Sequence, residues 1–335
     1  MPNATIARGN YVDTNDRDLT QTLLDAAVLE QFYNSNVLFN SQFMQIKPLE
    51  PGTSSHDFKI FGDSPEDGEH HVPGAWIESG SIVNAKVNVA VDDPLIKALR
   101  LDLADEELSK FPLIEPYART CARKNAEKMD KRAFVVLTLA ARTAAVTNVH
   151  PGGNVVERVA ATIAAAYPVT DAGAGQFALD ASTLARQMDE DDVPDDGNRY
   201  MFISPYIRQV LTLSTRLMNR DYVPESAGNI VNRVIGTLEG FKLVMTQHIP
   251  STAITTDLAK YNGDFTAAGT TGQPAALALY NADKVGPIGC VQVGGMVGKI
   301  YFDENRDCWL VKHRLVVGMG IVSCWCAGEI RVDTS

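Results

Sequence analysis

A long amphipathic stripe in the middle of the chain is the feature that most limits its fold. Small and apolar residues recur every three to four positions from Ile114 to Ala144, with charged residues between them. Proline is tolerated only near the start of a helix, so Pro116 predicts a helix from about 116 to 145. At 1.5 Å per residue it would be roughly 45 Å long, which is unusual in a globular domain. The pattern predicts a fold organised around one extended helix.

Alternating sequences on either side of a polar loop predict a long two-stranded hairpin before this helix. Phe58 and Ile60 belong to the first strand, and the residues from Val83 to Val91 alternate with polar residues in the second. The connecting sequence DSPEDGEHHVPGAWIESGS is typical of an exposed loop tip. With no helix to cover it, this hairpin would expose one side and both edges unless another chain pairs with it.

The remaining sequence alternates between helical and strand patterns, which indicates an α+β chain. Near the N-terminus, an amphipathic helix is predicted from the spacing of Leu19, Leu23, Leu24, Ala27, Val28 and Phe32. After the long helix we expect helices at 155–166 and 182–187, a strand at 200–203, a helix with Ser204 as its N-cap, a strand pair within 233–250, a loop at 262–274 and apolar strands at the C-terminus.

Six acidic residues between Asp189 and Asp196 form a candidate metal site, because clustered carboxylates bind hard cations. A calcium loop beginning at Asp192 would need oxygen ligands at its third and twelfth positions, which are Pro194 and Ile203. The register therefore fails, and a polar turn between a helix and a buried strand fits better. A soluble metal-dependent hydrolase that uses this cluster remains an alternative.

Other reactive residues lack the spacing that chemistry requires. His70 and His71 are adjacent and cannot present both rings to one ion, and Cys324 and Cys326 are too close for a zinc knuckle. We interpret the cysteines as buried structural thiols and the glycines at 286–298 as turns and strand-packing positions. No nucleophile motif is present, so we expect no catalytic, metal or cofactor-binding residues.

The composition excludes several classes of protein. No apolar run approaches the ~20 residues needed to span a bilayer, and the first residues lack the apolar segment of a signal peptide. Five cysteines with no framework spacing agree with the cytoplasm as the place of synthesis. A net charge of -11 argues against tight nucleic-acid binding, whereas a protein that only encloses nucleic acid needs no basic patch.

The order of these parts resembles the major capsid proteins of tailed bacteriophages with the HK97 fold, in particular those of T7-like podoviruses. The resemblance lies in an arm, a long hairpin ending VNVAVDD and a spine-like helix, followed by two later motifs. The first motif comprises Asp192, Val193, Pro194, Gly197, Arg199, Ser204 and Pro205. The second comprises Gly236, Gly240, Phe241, Val244, Pro250 and Ser251.

This resemblance implies the domains of that fold. They are an N-terminal arm at 1–54, an extended loop (E-loop) at 55–91, a peripheral (P) domain at 92–170 with the spine helix at about 116–145, an axial (A) domain at 171–310, and C-terminal strands at 311–335 that return to the P domain. Some members of the family crosslink a lysine to an asparagine, but no matching motif assigns that role to Lys86 or Asn88.

The resemblance also implies a function and partners. Copies of the chain would form hexamers and pentamers of an icosahedral shell that encloses double-stranded DNA without binding it specifically. The chain would assemble in the host cytoplasm and reside in the virion. About 50 residues precede the E-loop, so a separate scaffolding protein is expected, together with a portal protein and a decoration protein. The same fold also serves encapsulin-like nanocompartment shells, which remain an alternative.

Candidate interface residues follow from charge. Basic residues on the long helix alternate with Glu115, Glu127 and Asp130, so the simplest interpretation is a solvated helix face that also carries Lys128 and Arg132. The alternative is an ion-pair surface for the acidic loop tip of a neighbouring subunit. The candidate residues are Asp63, Glu66, Asp67, Glu69 and Trp76 on the loop and Arg119, Arg123, Lys124 and Lys131 on the helix.

Overall fold

The computed structural model describes residues 36–50, 52–60, 82, 84–103, 114–146, 149–213, 228–229, 234–269, 272–282, 285–295, 297–303 and 306–334. The predicted arm helix, the loop tip and its histidines His70 and His71 lie outside these residues. None of the helices in the described part of the chain combines the length and apolar character needed to cross a bilayer.

Four strands precede the long helix, and ten strands follow the last α-helix among the described residues. The strands are β1 (Gln45–Pro48), β2 (Ser55–Ile60), β3 (Ala85–Ala90), β4 (Leu95–Asp102), β5 (Asn154–Val159), β6 (Arg199–Ile203), β7 (Gly228–Asn229), β8 (Val234–Ile235), β9 (Thr237–Leu238), β10 (Phe241–Met245), β11 (Gln273–Tyr280), β12 (Ile288–Gln292), β13 (Val297–Asp303), β14 (Cys308–Leu315), β15 (Val317–Ile321) and β16 (Ala327–Asp333). The α-helices are α1 (Ile114–Ala141), α2 (Ile163–Ala166), α3 (Asp171–Glu190) and α4 (Pro205–Thr212).

A six-stranded sheet in the order β5-β16-β11-β6-β10-β9 forms the centre of the molecule. Its middle strands are apolar on both faces, as expected of strands covered on both sides. In β6, Tyr200 and Phe202 pack into the core around α1, whereas Met201 and Ile203 pack into a second core with α3 and α4. The sheet therefore separates the long helix from the two shorter ones.

The long helix α1 confirms the main sequence prediction, with bounds at Ile114 and Ala141. Phe134 makes an edge-on contact with Phe202 of the central sheet, at 5.2 Å between ring centroids. A separate three-stranded sheet, β13-β14-β4, also packs against α1. The interpretation of Asp130 and Arg132 as solvated is wrong, because both are buried. Helical spacing did not reveal their burial because their hydrogen-bond partners, the backbone at Val37 and the carboxylate of Asp257, are distant in sequence.

Two predicted helices need correction. Residues 155–166 form strand β5 and then the short helix α2, which begins only after the N-cap Thr162. The alanine-rich end of that segment is helical, but its valine-rich start pairs in parallel with β16. The predicted helix at 182–187 is part of the 20-residue α3, which begins after Thr170. The first turns of α3 were not predicted because they contain glycines at 173 and 175, and glycine is a poor helix former.

Other local predictions are confirmed or refined. Strand β6 spans the predicted segment, and the Ser204 side chain accepts a hydrogen bond from the backbone N–H of Ile207 to cap α4. The predicted loop at 262–274 ends as β11 begins at Gln273. Cys324 and Cys326 lie in a short 3-10 helix and not in a strand.

Candidate assembly surfaces

The root of the E-loop, defined as β2 and β3, is an antiparallel pair that packs on its own subunit. Phe58, Ile60 and Val89 turn inward and join a core with Val291 and Val322. The expectation that this apolar face needs a neighbouring chain is therefore wrong for the root, because the sheet β1-β12-β15 covers it. No third strand among the described residues pairs with β2 or β3, so within this part of the chain both edges of the pair are open.

Three glycines form the seat of this root. Gly289 and Gly320 are paired across β12 and β15, and Phe58 and Val89 of the root lie close against these two positions. A Cβ atom added at Gly320 would lie 2.8 Å from a methyl group of Val89. At Gly318 the added atom would lie 2.0 Å from the backbone oxygen of Ala90. The position of the root on its own subunit is therefore set by backbone contact.

We expect Gly318→Ala to displace the root, because a backbone oxygen cannot move as a flexible side chain can. Such overpacking costs about 1–3 kcal/mol. Hydrogen exchange of the amides in β2 and β3 should accelerate, while the amides of α1 remain protected. Gly175→Ala is the matched control, because an added Cβ there meets nothing within 4 Å. Unchanged protection of the root in Gly318→Ala would contradict this assignment.

The outward side of α1 carries the basic residues proposed from the sequence. Arg119, Arg123, Lys124 and Lys131 are all exposed. Glu127 lies 2.8 Å from the Lys124 ammonium and 3.7 Å from Arg123, and the hydrogen bond from Lys124 lowers the pKa of Glu127. The acidic candidates Asp63, Glu66, Asp67 and Glu69, with Trp76, lie outside the described residues.

A second surface, which the sequence analysis did not identify, is the outer face of the sheet β13-β14-β4. Ile96 and Tyr301 are exposed there to 47% and 45% of their surface. Strand register places four basic residues from three distant segments among these apolar side chains. They are Arg100, Lys299, Lys312 and Arg314. Lys312 and Arg314 flank His313, which turns inward and is buried.

Buried ion pairs fix α1 to the segments around it. The guanidinium of Arg132 forms a two-pronged contact with Asp257 and lies 4.9 Å from the ring centroid of Tyr261. Burial would raise the pKa of Asp257, but the hydrogen bonds from Arg132 and from the backbone hold it below its ordinary value. Tyr261 donates a 2.6 Å hydrogen bond to Asp92, which follows the E-loop. The end of the E-loop is thus linked to the long helix.

A second buried ion pair lies at the C-terminal end of α1. Arg142 donates to both oxygens of Glu329 in β16, at 2.7 and 2.6 Å. Glu329 is fully buried, and this burial raises its pKa although Arg142 opposes the effect. Arg142 also donates to the backbone oxygen of Gly272. One pair therefore joins the helix, the central sheet and the loop before β11.

The acidic cluster has a structural explanation. Arg199 is buried and donates hydrogen bonds to the backbone oxygens of Val193 and Pro194 and to the carboxylate of Asp189. Asp196 accepts from the backbone N–H of Asn198 at 3.0 Å and from the Tyr280 hydroxyl at 3.2 Å. In the described part of the chain, no three His, Cys, Asp or Glu side chains are placed to hold a metal ion.

The cysteines are buried and unbridged, as the sequence analysis expected. Burial raises the pKa of the Cys290 thiol to about 12, which leaves it protonated and unreactive near neutral pH. Cys324 lies 3.2 Å from Nδ1 of His150, but burial raises the pKa of this thiol too. This arrangement does not favour a thiolate nucleophile.

Comparisons with known structures identify the fold. The capsid structure of cyanophage P-SCSP1u is similar to this chain with a TM-score of 0.74 at 21% identity, covering 87% of both chains. The asymmetric unit of the bacteriophage PhiM1 mature capsid is similar with a TM-score of 0.71 at 16% identity, covering 89% of this chain and 87% of that one. The fold is therefore the HK97-like capsid fold. Comparison with curated protein sequences gives no significant match.

Family membership follows from the sequence profile of the Gp10A-like major capsid proteins, which matches residues 66–331. The match covers about four fifths of the chain, so the chain belongs to the Gp10A-like family of major capsid proteins. It is a structural, non-enzymatic component of a phage virion, and its copies associate into the icosahedral capsid shell.

Proposed function

We propose that this chain forms the hexamers and pentamers of a T7-like podovirus capsid that encloses double-stranded DNA. The observation that carries the proposal is the E-loop root, a two-stranded pair with open edges that is seated firmly on its own subunit. Such a pair is unfavourable in an isolated molecule, because the backbone N–H and C=O groups at its edges are available to pair with other strands. Repetition by symmetry lets one ordinary contact stabilise an entire shell.

The proposed contact joins two oppositely charged surfaces. The loop tip supplies Asp63, Glu66, Asp67, Glu69 and Trp76, and a neighbouring subunit supplies Arg119, Arg123, Lys124 and Lys131. Because Glu127 already accompanies Arg123 and Lys124, each of these pairs contributes little alone. Complementary charge would then set the register of the contact more than its strength.

We retain the proposed domains with one amendment suggested by strand pairing. The N-terminal arm at 1–54, the E-loop at 55–91, the P domain at 92–170 and the A domain at 171–310 stay as proposed. The segment 311–335 contributes to three sheets, because β14 pairs with β4, β15 pairs with β12, and β16 pairs with β5 and β11. We also propose scaffolding, portal and decoration proteins as partners, as the family resemblance implies.

An encapsulin-like nanocompartment is the second candidate. The virus-like particle of Pyrococcus furiosus is similar with a TM-score of 0.54 at 9% identity, covering 93% of this chain and 99% of that one. The DNA-filled capsid is favoured because the family profile is that of phage major capsid proteins.

Electron microscopy of particles isolated from infected cells, together with analysis of their contents, tests the proposal. We expect icosahedral shells with a tail at one vertex and double-stranded DNA inside. Tailless shells filled with a cargo enzyme would support the nanocompartment instead. If purified particles lacked this chain, both candidates would fail.

A further inference from the structure

A cavity of about 350 Å³ lies between α1 and the segment 247–257 that follows β10. Three basic residues of the helix, Lys128, Lys131 and Arg132, form one wall. Val135 and Ile249 add apolar surface to it. Asp257 is the one acidic residue that lines the cavity in the described part of the chain, and Arg132 already engages it. The cavity thus offers apolar surface beside basic groups.

Lys131 is the most available of these cations. It is exposed, and no acidic side chain of the described residues forms an ion pair with it. Lys128 lies 3.9 Å from Asp257, at the outer limit of an ion pair. An occupant with carboxylates on one side and apolar groups on the other would match this wall.

The chain itself enters the described structure at the edge of this cavity. One oxygen of Asp130 accepts hydrogen bonds from the backbone N–H of Val37 at 3.0 Å and from Nδ1 of His248 at 2.7 Å. The two nitrogens are therefore at most 5.7 Å apart, the sum of these distances. Because His248 lines the cavity, the residues before Val37 start beside it.

Asn36 provides a second sign that this edge is incomplete. Both polar atoms of its side-chain amide are buried, and neither has a hydrogen-bond partner among the described residues. Buried polar atoms without partners are uncommon in native proteins. A preceding segment of chain that covers this position would supply such partners.

The preceding sequence has the matching chemistry. Residues 12–35 contain five acidic residues and one basic residue, so their net charge opposes that of the cavity wall. Leu24, Val28 and Phe32 belong to the helical spacing predicted for the arm. Phe32 is four residues from Asn36, a separation that an extended chain spans in roughly 13 Å. The arm is therefore long enough to reach the cavity of its own subunit.

We propose that residues 17–33 dock across the mouth of this cavity on the same subunit, with part of their apolar face inserted into it. The apolar positions would face Val135 and Ile249, and Asp25 and Glu30 would face Lys128 and Lys131. Docking would remove Lys131 from the surface offered to a neighbouring E-loop and leave Arg119, Arg123 and Lys124 there. The arm would then hold α1 and the segment 247–257 together.

Zero-length carbodiimide cross-linking of the full-length protein, followed by mass spectrometry, tests this proposal. We expect links from Lys128 or Lys131 to Asp25 or Glu30. Lys299, exposed on the outer sheet face, is the matched control and should form no link to the arm. In a mixture of ¹⁴N- and ¹⁵N-labelled subunits each link should join peptides of one isotope.

The outcomes separate the possible occupants. Links that join peptides of different isotopes would show that the arm of a second copy fills the cavity, and they would overturn docking within one subunit. Links from Lys128 and Lys131 only to residues 63–69 would also overturn it, although capsid assembly would stand. As a second measurement, Val28→Asp should speed amide exchange in 247–257 by on the order of tenfold through loss of local protection. Unchanged exchange there would contradict docking.

Discussion

Deletion of residues 62–74 is expected to leave the subunit folded and to abolish closed shells. Described residues outside this segment form the cores around α1 and around the central sheet, and the root strands β2 and β3 remain. What is lost is the part of the E-loop proposed to contact a neighbouring subunit. Circular dichroism should therefore change little, whereas electron micrographs should show no closed particles.

A length-preserving variant serves as the control for this deletion. His70→Ala with His71→Ala keeps the loop and its acidic residues, and these histidines have no assigned role. Shells should form normally from this variant. If the deletion also produced normal shells, the proposed role of the loop tip would be wrong.

Replacement of Asp130 by alanine is expected to cause the largest loss of stability. Its carboxylate is fully buried and accepts hydrogen bonds from the backbone N–H groups of Val37, Leu38 and Phe39, at 2.8 to 3.0 Å. His248 contacts the same group. Without it, three backbone donors are left unpaired, each costing about 1–3 kcal/mol. The free energy of unfolding should fall by about 3–5 kcal/mol, as for a broken buried pair.

Chemical denaturation of unassembled subunits measures this effect. Asp195→Ala is the matched control, because Asp195 is an exposed carboxylate in the acidic turn. Its effect should lie within ~0.5 kcal/mol, as at most surface positions. A loss from Asp130→Ala no larger than that of the control would show that the carboxylate does not hold the arm.

Periodicity was informative wherever one face of an element meets a core. The stripe on α1 and the alternation in β3 predicted the spine helix and the hairpin, because both patterns arise from burial on one side. The helix predicted at 155–166 is wrong because the first half of this segment pairs with β16, which lies far away in sequence. Local propensity cannot include a strand pairing that forms only in the folded chain.

The buried charged residues, and the surface formed by several separate segments, could not be predicted from the sequence because their contacts also form only in the folded chain. Asp130 and Arg132 have the spacing of surface residues, and only the folded chain brings the backbone at Val37 and Asp257 to them. The outer face of β13-β14-β4 likewise combines basic residues from separate segments. The acidic segment lies between α3 and β6, as the sequence predicts, because that prediction depends on adjacent residues alone. Its partner Arg199 lies only ten residues from Asp189.

Sedimentation velocity of the purified full-length protein over a wide range of concentrations tests the central claim most directly, namely that copies of this chain complete the surfaces that one subunit leaves open. We expect large closed assemblies in equilibrium with smaller oligomers, with the large species increasing as concentration rises. A single species the size of one subunit at every concentration, in the presence and absence of scaffolding protein, would contradict the account.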